Sequence, residues 1–134
     1  MITPYEVRFA EAFLASLVEQ NVSSFPFGDK VFTSGVRAIS QVARESSDPV
    51  DKYQIGDLFN SSPVCGDYSY FLSVLNYLNG KRISLENFRL VHAKIKIPKD
   101  AARIILDKTP QDLRNFAQIA AKTFKKTLPC EAYA

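Results

Sequence analysis

Cys65 and His92 are the two side chains whose chemistry would make this chain a catalyst. Cys65 stands in "SSPVCGDYSYFLSVLNYLNG", residues 61–80. If Ser62 caps a helix with Pro63 at its first position, Cys65 falls in the first turn. The free N–H groups and the helix dipole there favour a thiolate. His92 is the single histidine and would be the base of a nucleophile–base pair. Two features weigh against that chemistry. The residues around Cys65 match no thiol-enzyme signature, and an inert, buried cysteine beside an aromatic helix is the commoner arrangement. His92, between Val91 and Ala93, reads as a partly buried structural residue. A cysteine-dependent enzyme therefore ranks third among the functional readings.

Metal and cofactor chemistry find less support. Cys65 and Cys130 with one histidine give no paired-ligand spacing. There is no glycine-rich phosphate loop, no HExxH and no nucleophile elbow. No cofactor is implied, and two cysteines do not make a disulfide framework.

The basic residues are the stronger lead. Residues 1–80 carry five Lys and Arg against nine Asp and Glu, a net −4, whereas residues 81–134 carry twelve against five, a net +7. Such asymmetry is one footprint of an acidic partner; two halves complementing each other within one fold is the other reading. Lys94, Lys96, Lys99 and Arg103 crowd one segment. Arg114, Lys122, Lys125 and Lys126 line one face of a helix, with Asn115 and Gln118 beside them. These stripes would meet an acidic protein surface or, as the runner-up, track a phosphate backbone. Tyr68, Tyr70 and Tyr77 lie on a helix read as buried, so they add little for base stacking. No helix-turn-helix, zinc finger or RNA-binding signature is visible.

The elements that must position these residues are mostly helical. Ser, Thr or Asp followed by Pro occurs at Thr3-Pro4, Asp48-Pro49, Ser62-Pro63 and Thr109-Pro110, and reads as N-cap plus first helical residue. Glu6 completes a capping box with Thr3, and Asp112 approximates one with Thr109. The first helix is expected from Pro4 to Asn21, with Phe9, Ala10, Phe13, Leu14, Leu17 and Val18 on one face. "NVSSFPFGDK" reads as a loop tucked in by Phe25 and Phe27. A second helix is expected from Thr33 to Glu45, and a short one from Pro49 carrying Tyr53 and Leu58 inward. The segment near 63–79 is expected to be a central buried helix, since only Ser69, Ser73 and Asn76 break its apolar surface. Residues 84–97 fit a helix capped by Ser84, but Val91, Ala93, Ile95 and Ile97 also alternate with His92, Lys94 and Lys96 as a short strand does. The cap, and the lack of an evident partner strand, favour the helix. A short helix over Lys99–Asp107 and a long one over Pro110–Thr127 complete the chain.

The expected architecture is an all-α, compact bundle of five to six helices in one domain over residues 1–134, with the 110–127 helix packed across the 68–78 helix. The N-terminal stretch lacks a basic region and is broken by charges, unlike a signal peptide. No apolar run reaches the length of a membrane span. A cytoplasmic or otherwise intracellular setting is expected. The expected function is non-catalytic: a small interaction or regulatory protein docking a basic helical surface on an acidic partner. Ile119 on a polar border and the apolar 68–78 helix point to a protein contact or a homodimer.

Overall fold

Thr3 and Glu6 set the start of the first helix. The Glu6 amide donates to Thr3 Oγ1 at 3.2 Å, and the Thr3 amide donates to Glu6 Oε1 at 2.8 Å. The capping box is complete, with Pro4 placed where a missing N–H costs nothing. Helix α1 runs Pro4–Glu19. It is followed by strand β1 (Ser24–Pro26), helices α2 (Lys30–Glu45) and α3 (Ser47–Lys52), and a 3₁₀ turn at Gly56–Phe59. Helix α4 (Ser69–Tyr77), strands β2 (Ile83–Asn87) and β3 (Val91–Ile95), and helices α5 (Lys99–Lys108) and α6 (Gln111–Thr127) complete the order. The computed structural model describes residues 2–61, 67–87 and 91–129.

The fold is predominantly helical, as expected, but it is not all-α. Strands β1, β3 and β2 form a three-stranded antiparallel sheet in that order. The preferred helix over 84–97 is therefore corrected to two strands, and the alternation over 91–97 was the governing signal. Ala93, Ile95 and Ile97 are buried, while Lys94 and Lys96 are exposed. The partner strands lie in segments read otherwise. Ser24–Pro26 sits inside the expected loop and pairs Phe25 with Ala93; Ile83–Asn87 pairs Leu85 with Ala93 on the other side. A three-residue edge strand is too short to announce itself by period.

The central helix is α1, not the segment near 63–79. Every residue from Ala12 to Val18 is buried. Ala10, Ala12, Ala15 and Ser16 are small enough for neighbouring helices to close on the sides that Phe and Leu leave open. Helix α4 buries Phe71, Val74 and Leu75, while Ser69, Ser73, Asn76 and Tyr77 face solvent. Tyr77 is 53% exposed and lies beneath the Lys81 ammonium at 5.2 Å. Lack of charge did not mean burial there, because a tyrosine tolerates one wet side. Helix α6 packs across α1 and α2 instead of across α4.

Phenylalanine rings tie these elements together. Phe9 stacks on Phe116 at 5.5 Å, Phe13 meets Phe124 edge-on at 5.5 Å, and Phe32 meets Phe71 at 6.0 Å. Phe25 reaches Phe124 at 5.6 Å, and Phe59 bridges Phe116 and Phe71. With Phe27 against Phe32, nine of the ten phenylalanines join one network; Phe88 lies outside the described residues. Each such pair adds about 0.5–1.5 kcal/mol beyond its area burial.

Two of the remaining cap-proline sites depart from expectation. Thr109 closes α5 by donating its hydroxyl to the Ile105 carbonyl at 2.8 Å and does not cap α6. Asp48 lies within α3, and Ser62-Pro63 falls outside the described residues. Helix α2 starts three residues before Thr33, because Asp29 Oδ1 accepts from the Phe32 amide at 2.9 Å. Gly28, at φ +86°, makes the left-handed turn into that cap.

Candidate functional site

The C-terminal end of α1 organises much of the basic half. Gln20 closes the helix, and Asn21 takes a left-handed conformation at φ 65°. Helix α1 has no basic residue in its own last turn. Its partially negative end instead draws cations from distant elements. Lys125 of α6 donates to the Gln20 carbonyl at 2.8 Å. Lys99, at the start of α5, donates to Asn21 Oδ1 at 2.9 Å, and Arg103 lies 3.6 Å from Glu19. Arg114 of α6 meets Asp107 of α5 at 3.8 Å. These contacts fasten α5 and α6 to one another and to α1. Exposed pairs of this kind each contribute about 0–1 kcal/mol.

The nine predicted contact residues thus divide. Lys99, Arg103, Arg114 and Lys125 have partners inside the fold. Lys94, Lys96, Lys122 and Lys126 are exposed, and their ammonium groups make no hydrogen bond or ion pair among the described residues. Gln118 is half-buried on the same flank of α6 as Arg114 and Lys125. On β3, Lys94 stands between Ser24 of β1 and Ser84 of β2 in the sheet register.

The outward stripe of α6 is Gln111, Asn115, Ile119, Lys122 and Lys126, all exposed and repeating every three or four residues. Ile119 is 48% exposed. Behind this stripe, Leu113, Phe116, Ala117, Ala120, Ala121 and Phe124 are buried. The helix is held close to α2 because Gly35 lies against the Phe124 ring; a Cβ there would sit 2.5 Å from two ring carbons.

His92 lies half-buried in β3, opposite Pro26 and Glu86. Cys65 and Cys130 lie outside the described residues, and so does the Cys65–His92 pairing. Among the described residues, no group of three or more His, Cys, Asp and Glu side chains gathers as metal ligands would. No helix among them is long and apolar enough to cross a membrane.

Two polar links escaped the sequence reading. Tyr70 donates to the buried Glu6 carboxylate at 2.6 Å, joining α4 to the cap of α1. Burial, and then this bond, push the Tyr70 hydroxyl up to about 12. The second joins Tyr53 and Lys52 to Asp112 at 2.6 and 3.1 Å. The partners lie about sixty residues apart in both, so no local spacing marks them. The chain matches no family model, and searches of curated proteins and of solved structures also return no match, so its functional reading rests on this geometry.

Proposed function

We propose that this chain is a non-catalytic interaction protein that docks the outward face of α6 on an acidic protein surface. One observation carries the reading: Lys122 and Lys126 are exposed without a carboxylate partner among the described residues, and Ile119 stands one turn before Lys122. Free cations beside an apolar side chain on a rigid helix suit a partner with carboxylates around an apolar spot. The net +7 of residues 81–134 would steer the encounter, over a range of about 8 Å at physiological salt. Lys94 on β3 and Lys96 just past its end supply further unpaired charge.

The test is a pull-down from nuclease-treated native lysate with the wild-type chain and with Lys122→Glu/Lys126→Glu. A protein retained by the wild type, lost with the double variant and released by moderate salt supports the reading. The double variant should remain folded and lose no more than the about 0.3–1 kcal/mol expected from an acid in the last turn of α6, since neither lysine side chain has an ion-pair partner among the described residues. Equal retention by the double variant sinks it. Retention that disappears on nuclease treatment would move the assignment to nucleic acid.

A further inference from the structure

The observation that reaches furthest lies away from α6. A cavity of about 350 Å³ opens between α1, α5 and the turn entering β2. That volume is at the lower end for small-molecule sites. Three cations line it: Arg8 of α1, Arg82 before β2 and Lys108 at the end of α5. Its one carboxylate, Glu11, is already engaged, accepting from Arg82 Nε at 2.8 Å. That bond orients the Arg82 guanidinium and leaves its terminal nitrogens without a partner among the described residues. The Arg8 guanidinium rests over the Tyr5 ring at 5.9 Å, and neither Arg8 nor Lys108 has an ion pair there. The α5 side, which also carries Lys108, is otherwise apolar: Ala101, Ile104 and Ile105. Ile104 is 54% exposed, the highest value among the large hydrophobic residues described.

We propose that this cavity binds a small amphiphilic anion, with a carboxylate or phosphate head on a short apolar body. Three positive charges against one neutralised carboxylate leave an excess that an anionic head would satisfy. Guanidinium forks match both head groups in shape. The isoleucine wall would cover the body of the ligand and lose its contact with water. The site shares no residue with the α6 face, so either proposal can fail alone.

The experiment is an amide NMR titration of the full chain with four probes: hexyl phosphate, hexanoate, hexanol and inorganic phosphate. At least one of the two amphiphilic anions should bind saturably, moving amides around Arg8, Glu11, Arg82, Ile104 and Lys108. Which of them binds more tightly identifies the head group. Hexanol and inorganic phosphate should each bind at least about tenfold more weakly, the loss expected from one charge-assisted hydrogen bond or one apolar side chain. Arg8→Gln/Lys108→Gln should weaken the anion about tenfold or more, while the chain stays folded with only the small drop in melting temperature that loss of the Tyr5 contact and the α5 end charge brings. Four outcomes overturn the proposal: no saturable shift, shifts scattered over the surface, hexanol or inorganic phosphate binding as well as the amphiphile, or undiminished affinity in the double variant.

Discussion

The Tyr53 hydroxyl donates to Asp112 Oδ1 at 2.6 Å, and Lys52 reaches Asp112 Oδ2 at 3.1 Å. The end of α3 is thereby tied to the first turn of α6. Asp112 also accepts from the Leu113 amide, so a residue read as half of a capping box serves as a junction between elements.

That junction has a pH signature. The Tyr53 bond first, and then the Lys52 bond, hold the Asp112 carboxyl below its ordinary 3.8. A depressed carboxyl contributes stability that is present above the unfolded value and is lost as pH falls through the folded one. Tyr53→Phe should therefore lower the melting temperature at pH 7 and leave a smaller drop between pH 7 and pH 3 than the wild type shows. Identical drops in the two proteins would mean that the bond does not couple to folding.

Tyr70 gives the opposite sign. Its hydroxyl is pushed up to about 12, so the folded state holds this proton longer than the unfolded chain. Stability from this group is complete below about pH 10, the unperturbed tyrosine value, and is lost as pH rises toward 12. The Asp112 bond raises Tyr53 as well. Absorbance at the phenolate band should therefore show more than one late tyrosine. Tyr70→Phe should remove one late step and leave that of Tyr53, which Tyr53→Phe removes. An unchanged number of late steps in Tyr70→Phe would assign the shift to another residue.

Gly35 predicts a conflict between helix propensity and packing. Alanine gains about 1 kcal/mol in a helix interior. Its Cβ would meet the buried Phe124 ring at 2.5 Å and Thr127 Oγ1 at 2.9 Å. Overpacking typically costs about 1–3 kcal/mol. Gly35→Ala should be destabilised in urea unfolding, and Phe124→Leu should recover part of that loss in the double variant. A more stable Gly35→Ala would show that α2 and α6 part easily.

Ser16 predicts a gain. It is 1% exposed on the central helix, and its Oγ has no hydrogen-bond partner among the described residues. A buried hydroxyl without a partner is destabilising by about 1–3 kcal/mol. Ser16→Ala removes it with almost no change in volume and should raise stability by about 1 kcal/mol. A loss of that size in thermal melts would reveal a bond that Ser16 makes in solution.

Local signals were the legible part of the fold. Thr3, Pro4 and Glu6 declared the start of α1 because a cap acts within four residues, and the stripe of α6 is a single-helix property. Burial of α4 was misjudged because a chain pattern records polarity, whereas burial depends on which neighbours arrive. The small residues of α1 were the better sign of a centre. The sheet was missed through its shortest member, β1, whose pairing partner lies far along the chain. The basic residues were legible as a group, but their division was not. Whether a lysine is free or committed depends on where the end of another helix falls: Lys125 finds the Gln20 carbonyl, while neighbouring Lys126 points outward.

The stacking of Phe9 on Phe116 and the packing of α1 on both α5 and α6 carry a consequence for biosynthesis. A nascent chain that has made α1 through α4 still lacks the α5 and α6 surfaces that cover most of its first helix. Phe9 and Phe13 can by then meet Phe59 and Phe71, but their faces toward Phe116 and Phe124 wait for α6 to leave the ribosome. Such long-range closure slows folding and places this protein among those that complete their interior only after most of the chain has been translated, with a window in which chaperones meet the exposed rings.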